Sequence, residues 1–312
     1  MGIQTGEISS RKPGEYVREN YGREQYKKSS IKWAAGAEHI SHRFGEKRVL
    51  QEVNFQVEEG ETFGLLGPSG AGKTTLIRIL TGQLKQTSGN VYLLETDTRR
   101  LSATQRRQVG IMMDCFGLYD RLSAYRNMAF YADIYRVPKS RIREILEQSG
   151  LWEARNCAVS RLSKGMKNRL SLARALMTDA RILFLDEPTS GLDPATAKEI
   201  HGILEEQHKK GKTIFLTTHN MYEAEQLCDR VILLSNGSIV EEGSPEGICR
   251  RYNHLNRLRI TLRDGRQIVL DNGKASAMAV KEYLEEDRIA AIHSTEPNLE
   301  SVFIELTGKG LE

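Results

Sequence analysis

The residues with the clearest chemical potential form one uninterrupted run, Gly67-Pro68-Ser69-Gly70-Ala71-Gly72-Lys73-Thr74-Thr75. Glycines at this density let backbone N–H groups close around an anion, while the lysine and hydroxyls that follow supply a cation and metal-facing oxygen. The spacing GxxxxGK[ST] is that of a phosphate-binding loop, with Lys73 expected on the terminal phosphates of a nucleotide and Thr74 on Mg2+. A second element, Ile182-Leu183-Phe184-Leu185-Asp186-Glu187, is an apolar strand ending in two carboxylates. Alone it reads equally as a buried strand with a solvated acidic end. Beside a phosphate loop, Asp186 can hold Mg2+ through water and Glu187 can polarise the water that attacks a γ-phosphate.

Such a loop needs a strand to deliver it and a helix to receive it. Thr62–Leu66 supplies the strand, and Leu76, Ile77 and Leu80 share one face of the helix that follows. Upstream, 39–44 and 49–57 read as strands around a Gly45-Glu46-Lys47 turn, giving an antiparallel entry. Residues 123–149 are helical in character, interrupted at Pro138, and a helix starting near Ser163 carries Met166, Leu170 and Ala173 at core spacing. Strands at 182–185 and 213–217 flank a helix opened by Pro194, with Ile200, Ile203 and Leu204 inward. The alternation predicts an α/β fold with a mainly parallel core sheet, an antiparallel β portion and a helical portion over about 100–178. Beyond about Arg250 the pattern restarts, with strands at 257–262, 266–270 and 289–293 and helices at 274–285 and 298–307. The expected organisation is a flexible basic extension over 1–35, a nucleotide-binding domain over 36–249 and a small α+β accessory domain over 250–312.

Composition narrows the class. With 39 % hydrophobic residues in 312, the chain can bury a large core, but no apolar run approaches the ~20 residues needed to span a bilayer. The formal net charge is +4, and the first 35 residues hold seven Lys/Arg against four Asp/Glu. The remainder is thus nearly neutral, which argues against a nucleic-acid-binding face. Cys115, Cys157, Cys228 and Cys249 have neither CxxC nor metal-ligand spacing, and no secretory leader opens the sequence, so reduced thiols and a cytosolic location are expected.

The stretch from about Glu38 to Pro245 resembles the nucleotide-binding domain of ABC transporters. Leu162-Ser163-Lys164-Gly165-Met166 is similar to the family's LSGGQ signature, which completes the partner subunit's site. The resemblance implies two composite ATP sites in a head-to-tail dimer with a second copy or homologue. Pro188-Thr189-Ser190-Gly191-Leu192-Asp193 is similar to the D-loop that connects those sites, with Asp193 at its end. His219, after Thr217-Thr218, matches the switch histidine, so Glu187 and His219 are the implied catalytic residues. Phe44 stands where the family places an aromatic stacked on adenine, worth about 1 kcal/mol.

Two departures stand out. Asp114 occupies the place of the family's glutamine between the metal site and the helical portion; it still offers an oxygen to Mg2+ but lacks an amide donor. Metal binding on Thr74, Asp114 and Asp186 with altered coupling is the expectation. In the signature, Lys164 and Met166 replace Gly and Gln, while Ser163 and Gly165 remain. This LSKGM form, with the Glu296-Pro297-Asn298-Leu299 start and amphipathic continuation of the C-terminal segment, looks like ATPase subunits of drug, lantibiotic and antibiotic exporters that pair with separate small permeases.

The expected function is therefore an ATP-hydrolysing exporter subunit, peripheral on the cytoplasmic face of the membrane through an integral permease, using ATP and Mg2+. Two other classes compete. Nucleic-acid- or ribosome-associated relatives usually carry a long coiled coil, zinc cysteines or two fused cassettes, none of which this sequence has. A nucleotide-switched regulator without useful turnover is suggested only by Asp114, against the presence of Glu187 and His219. Cargo belongs to the permease and is not written in this chain.

Overall fold

The computed structural model describes residues 32–113, 117–254 and 256–308. Strands β1 (Trp33–Phe44), β2 (Lys47–Glu58), β4 (Ser88–Leu93) and β5 (Thr96–Asp97) form an antiparallel sheet in the order β2-β1-β4-β5. β1 starts earlier than its alternating pattern suggests, because Ala34 and Ala35 are both buried and give no polar–apolar contrast.

The central sheet holds β3 (Thr62–Leu66), β6 (Val109–Met113), β7 (Ile182–Asp186), β8 (Thr213–Thr218), β9 (Arg230–Ser235) and β10 (Ser238–Gly243), in the order β10-β9-β3-β8-β7-β6. Every pairing is parallel except that of edge strand β10. β3, β7 and β8 are buried at every residue, as expected of strands covered on both faces.

Helix α1 (Lys73–Leu80) follows the glycine loop, and α2 (Ala103–Arg107) precedes β6. The helical portion comprises α3 (Ala124–Tyr135), α4 (Ser140–Gln148) and α5 (Lys164–Ala175) around Met128, Ile142, Ile145, Leu146 and Leu170. α6 (Pro194–Lys209), α7 (Met221–Leu227) and α8 (Pro245–Arg251) cover the central sheet. Side chains set these starts: Ser123, Ser163, Asp193, Asn220 and Ser244 each accept a backbone N–H from the first turn of α3, α5, α6, α7 and α8.

Phe55, Phe63, Phe184 and Phe215 join the antiparallel sheet to the central one, with neighbouring ring centroids 5.3–5.9 Å apart. The C-terminal strands β11 (Arg257–Leu262), β12 (Gln267–Asp271) and β13 (Ile289–Ser294) form a third sheet, with α9 (Ala277–Glu285) between β12 and β13. The last helix, α10 (Leu299–Thr307), does something different. Its Leu299, Val302 and Phe303 enter the core under the central sheet, beside Met221, Ala224 and Ile248, and Leu299 N donates to Glu225 Oε1 of α7 at 2.8 Å. No helix among the described residues is long and apolar enough to cross a membrane.

Candidate nucleotide site

β3 runs between β8 and β9, where Leu66 is in register with Thr218 and Leu233. The glycine loop therefore leaves the middle of the sheet and turns back into α1. The turn demands glycine at two points. Gly72 has φ +112°, and a Cβ there would lie 2.8 Å from Leu50 Cδ2 and 3.0 Å from Val49 O; at Gly67 it would lie 2.3 Å from Leu234 O. Lys73 is buried, and its Nζ donates to Gly67 O at 2.6 Å and Pro68 O at 3.2 Å. These bonds curl the loop around its own lysine.

Strand register brings in the rest. Asp186 ends β7 opposite Thr217 of β8 and Met113 of β6. Its two oxygens are held apart by two hydroxyls: Thr74 Oγ1 donates to Oδ2 at 2.7 Å and Thr217 Oγ1 to Oδ1 at 2.5 Å. The Thr74 hydroxyl and the Asp186 carboxylate are hard oxygen donors of the kind Mg2+ takes. Asp114, the third expected metal ligand, lies outside the described residues, as does Cys115; Cys157, Cys228 and Cys249 are free thiols.

Glu187 is placed by its backbone. Its N–H donates to Thr217 O and Thr217 Oγ1, both at 3.1 Å, and its φ of +50° is rare for a residue with a side chain. The carboxylate sits between a lysine and a histidine, with Oε1 3.1 Å from Lys73 Nζ and Oε2 2.7 Å from His219 Nδ1. The glutamate thus has one oxygen toward the phosphate lysine and one toward the histidine, a geometry suited to taking a proton beside a phosphate.

Phe44 ends β1 with half its surface exposed, and its ring meets His42 edge to face at 4.6 Å and 84°. The signature residues stand elsewhere. Ser163 caps α5, its Oγ accepting from Met166 N at 3.2 Å. A Cβ on Gly165 would meet Thr196 Cγ2 of α6 at 2.5 Å, and Lys164 Nζ lies over Gly191. Asp193 caps α6, accepting from Thr196 N at 3.0 Å and Thr196 Oγ1 at 2.7 Å; these bonds hold its carboxyl below the usual range. Among the described residues, no hydrogen bond or ion pair joins Ser163, Lys164, Gly165, Met166 or Asp193 to the loop at 67–75.

Sequence reasoning missed Thr217 as the second clamp on Asp186, and it missed Glu223. The first depends on the register of β7 against β8, which the order of residues does not give. The second shows no motif, because its partners Thr189 and His201 come from other elements.

A parallel sheet that gathers these groups at the carboxyl ends of β3, β7 and β8 is the architecture of a P-loop nucleotide hydrolase. Residues 50–190 match the family model described as ABC transporter. A fluoroquinolones export ATP-binding protein of Mycobacterium tuberculosis is 37 % identical over 267 residues, spanning 84 % of this chain and 88 % of the relative. The linearmycin resistance ATP-binding protein of Bacillus subtilis is 31 % identical over 88 % of this chain and 98 % of its own, and a Nod factor export ATP-binding protein of Bradyrhizobium diazoefficiens 34 % identical over 88 % and 96 %. Among solved structures, a dimeric post-hydrolysis ATP-binding cassette bound to ADP and Pi aligns with a TM-score of 0.62 at 29 % identity, covering 67 % of this chain and 98 % of that one.

The chain belongs to the family of ABC transporter ATP-binding subunits. It is an ATP-binding cassette ATPase, with the mixed α/β architecture expected from the sequence.

Proposed function

We propose that this chain powers an exporter by ATP-driven closure of a head-to-tail dimer, acting at the cytoplasmic face of the membrane on a separate integral permease. The single observation that carries the hydrolytic part is Glu187, held between Lys73 and His219 beside the Thr74–Asp186 pair. Glu187 accepts the proton of the attacking water as its oxygen bonds to the γ-phosphorus. The bond from that phosphorus to the bridging oxygen breaks, leaving ADP and phosphate. Lys73 and the N–H groups of the glycine loop bind the phosphates, and Phe44 stacks on the adenine. Thr74 and Asp186 are the residues that would hold Mg2+, which when bound would supply positive charge to offset that of the phosphates.

Ser163, with Lys164, Gly165 and Met166, contributes to the site of the second subunit, and the segment ending at Asp193 lies between the two sites. Their absence from this chain's own loop supports that division. For the permease, support comes from Tyr119, Phe130 and Ile134, exposed on and beside α3, with Tyr119 and Phe130 in edge contact at 5.0 Å. An exposed aromatic patch of this kind fits a protein partner. For export, support comes from the similar fluoroquinolone and Nod factor export ATP-binding proteins.

The test is purification from membranes. An integral membrane protein is expected to co-purify, and reconstitution with it should raise ATP turnover well above that of Glu187→Gln. Turnover no higher than the variant's would favour a regulator, and tight salt-sensitive retention on DNA or ribosomes a nucleic-acid role.

A further inference from the structure

The carboxylate of Glu223 lies in the first turn of α7 and is buried. A charge in that position needs donors, and two elements supply them. Thr189 Oγ1, from the turn after β7, donates to Glu223 Oε1 at 2.5 Å, and His201 Nε2 of α6 lies 2.9 Å from the same oxygen. An ionised carboxylate only accepts, so His201 carries its proton on Nε2. Burial alone would raise the carboxyl's pKa; the hydrogen bonds, led by His201 and Thr189, bring it below the ordinary range.

The placement of this carboxylate relative to Glu187 and His219 gives it a further meaning. Glu187 and Thr189 are separated by one residue, as the chain leaves β7; His219 and Glu223 are separated by three, as it leaves β8. His219 Nδ1 and Glu187 Oε2 are 2.7 Å apart. The two segments are therefore joined twice, once by the Glu187–His219 contact and once by the Thr189–Glu223 bond, into a closed ring of residues. Asn220 stiffens one side, its N donating to Thr218 Oγ1 at 3.0 Å and its Oδ1 accepting from Glu223 N at 3.2 Å.

We infer that Glu223 is a positioning residue for ATP hydrolysis: through Thr189 it locks the turn after β7 to α7 and so sets His219 against Glu187. His201 holds the carboxylate in the orientation that Thr189 needs. The tie presupposes that Glu187 and His219 carry out hydrolysis, as proposed above.

The experiment is a cycle of four full-length proteins: wild type, Thr189→Val, His219→Ala and the double variant, with Thr189→Ser and Glu223→Gln as companions. Steady-state phosphate release gives kcat and KM. Valine matches threonine in shape and replaces the hydroxyl, and with it the bond to Glu223, by a methyl group. Thr189→Val is expected to lower kcat by about tenfold to a hundredfold, the effect of a small misplacement of reacting groups, with KM within about twofold. Thr189→Ser restores the donor and should recover most of kcat. In the His219→Ala background, Thr189→Val should produce almost no further loss, since both act through one contact.

Losses that multiply fully in the double variant would overturn the tie, as would serine failing to rescue a protein that melts like wild type. If His219→Ala alone leaves kcat unchanged, the hydrolytic role of the histidine fails first, and the inference with it. A general loss of folding from Thr189→Val would lower kcat equally in both backgrounds, which is a different outcome from the one expected. Glu223→Gln keeps an acceptor for Thr189 and should sit between wild type and Thr189→Val.

Discussion

Replacing Glu187 with glutamine should separate ATP binding from hydrolysis, and the Glu187–Lys73 contact sets the size of the binding effect. Glu187 and Lys73 are 3.1 Å apart, with side-chain exposures of 26 % and 7 %. At an effective dielectric constant near 20, the Coulomb attraction at that separation is about 5 kcal/mol. Desolvation of the lysine and screening of the partly exposed glutamate leave a net interaction of about 1 kcal/mol. Incoming phosphates compete with Glu187 for Lys73 Nζ. Removing the carboxylate charge frees the lysine, so ATP binding should tighten by about fivefold, since 1.4 kcal/mol is one decade. Loss of the proton acceptor should slow turnover by about a hundredfold to ten-thousandfold. Equilibrium titration with a fluorescent ATP analogue reads the first effect and phosphate release under saturating ATP the second. A turnover within about threefold of wild type would refute the proton-acceptor role. Weakened nucleotide binding would refute the competition for Lys73.

Phe303→Ala opens a cavity in the core shared by α10, α7 and the central sheet, and should cost about 3–5 kcal/mol in urea unfolding. Truncating an exposed residue of the same helix, as in Ile304→Ala, should cost far less. His42 is buried without a hydrogen-bond partner for either ring nitrogen, and desolvation pushes its pKa below 6.5. The unfolded chain therefore takes up this proton first as pH falls. The stability the neutral ring contributes is complete above pH 6.5 and lost as pH drops through the folded pKa. His42→Leu should flatten that part of the stability–pH curve, and an unchanged slope in chemical denaturation between neutral and mildly acidic pH would contradict the assignment.

Contiguous signals were the legible ones. The loop at 67–75 and the Asp186-Glu187 pair announce their chemistry because neighbouring residues act together. β3, β7 and β8 announce themselves as apolar runs bounded by turns. Ser163 and Asp193 reveal the starts of α5 and α6, since capping is a local interaction. Register across a sheet is not local. Nothing in the order of residues says that Asp186 meets Thr217, or that Lys73 reaches Glu187, until strand order is known. β4 escaped for a chemical reason: its opening Ser88-Gly89-Asn90 has poor strand propensity. Gly89 is nevertheless required there, with φ +90° and the His39 carbonyl 2.3 Å from where a Cβ would stand. An amphipathic pattern at 298–307 correctly predicts a helix but cannot say which surface it covers. α10 packs on α7 and α8 instead of completing only the sheet of β11–β13.

That placement of α10 also imposes an order in time. Protein chains emerge from the ribosome N-terminus first and tend to fold unit by unit as they do so. Here the strands of the central sheet are complete with β10, yet the apolar surface around Met221, Ala224 and Ile248 must wait until α8, the third sheet and α9 have been made before Leu299, Val302 and Phe303 arrive to cover it. The helix that follows His219 is therefore among the last parts of the molecule to be fastened. A newborn cassette can assemble the loop at 67–75 early, while the segment after His219 gains its last packing partner only when the end of the described chain has docked.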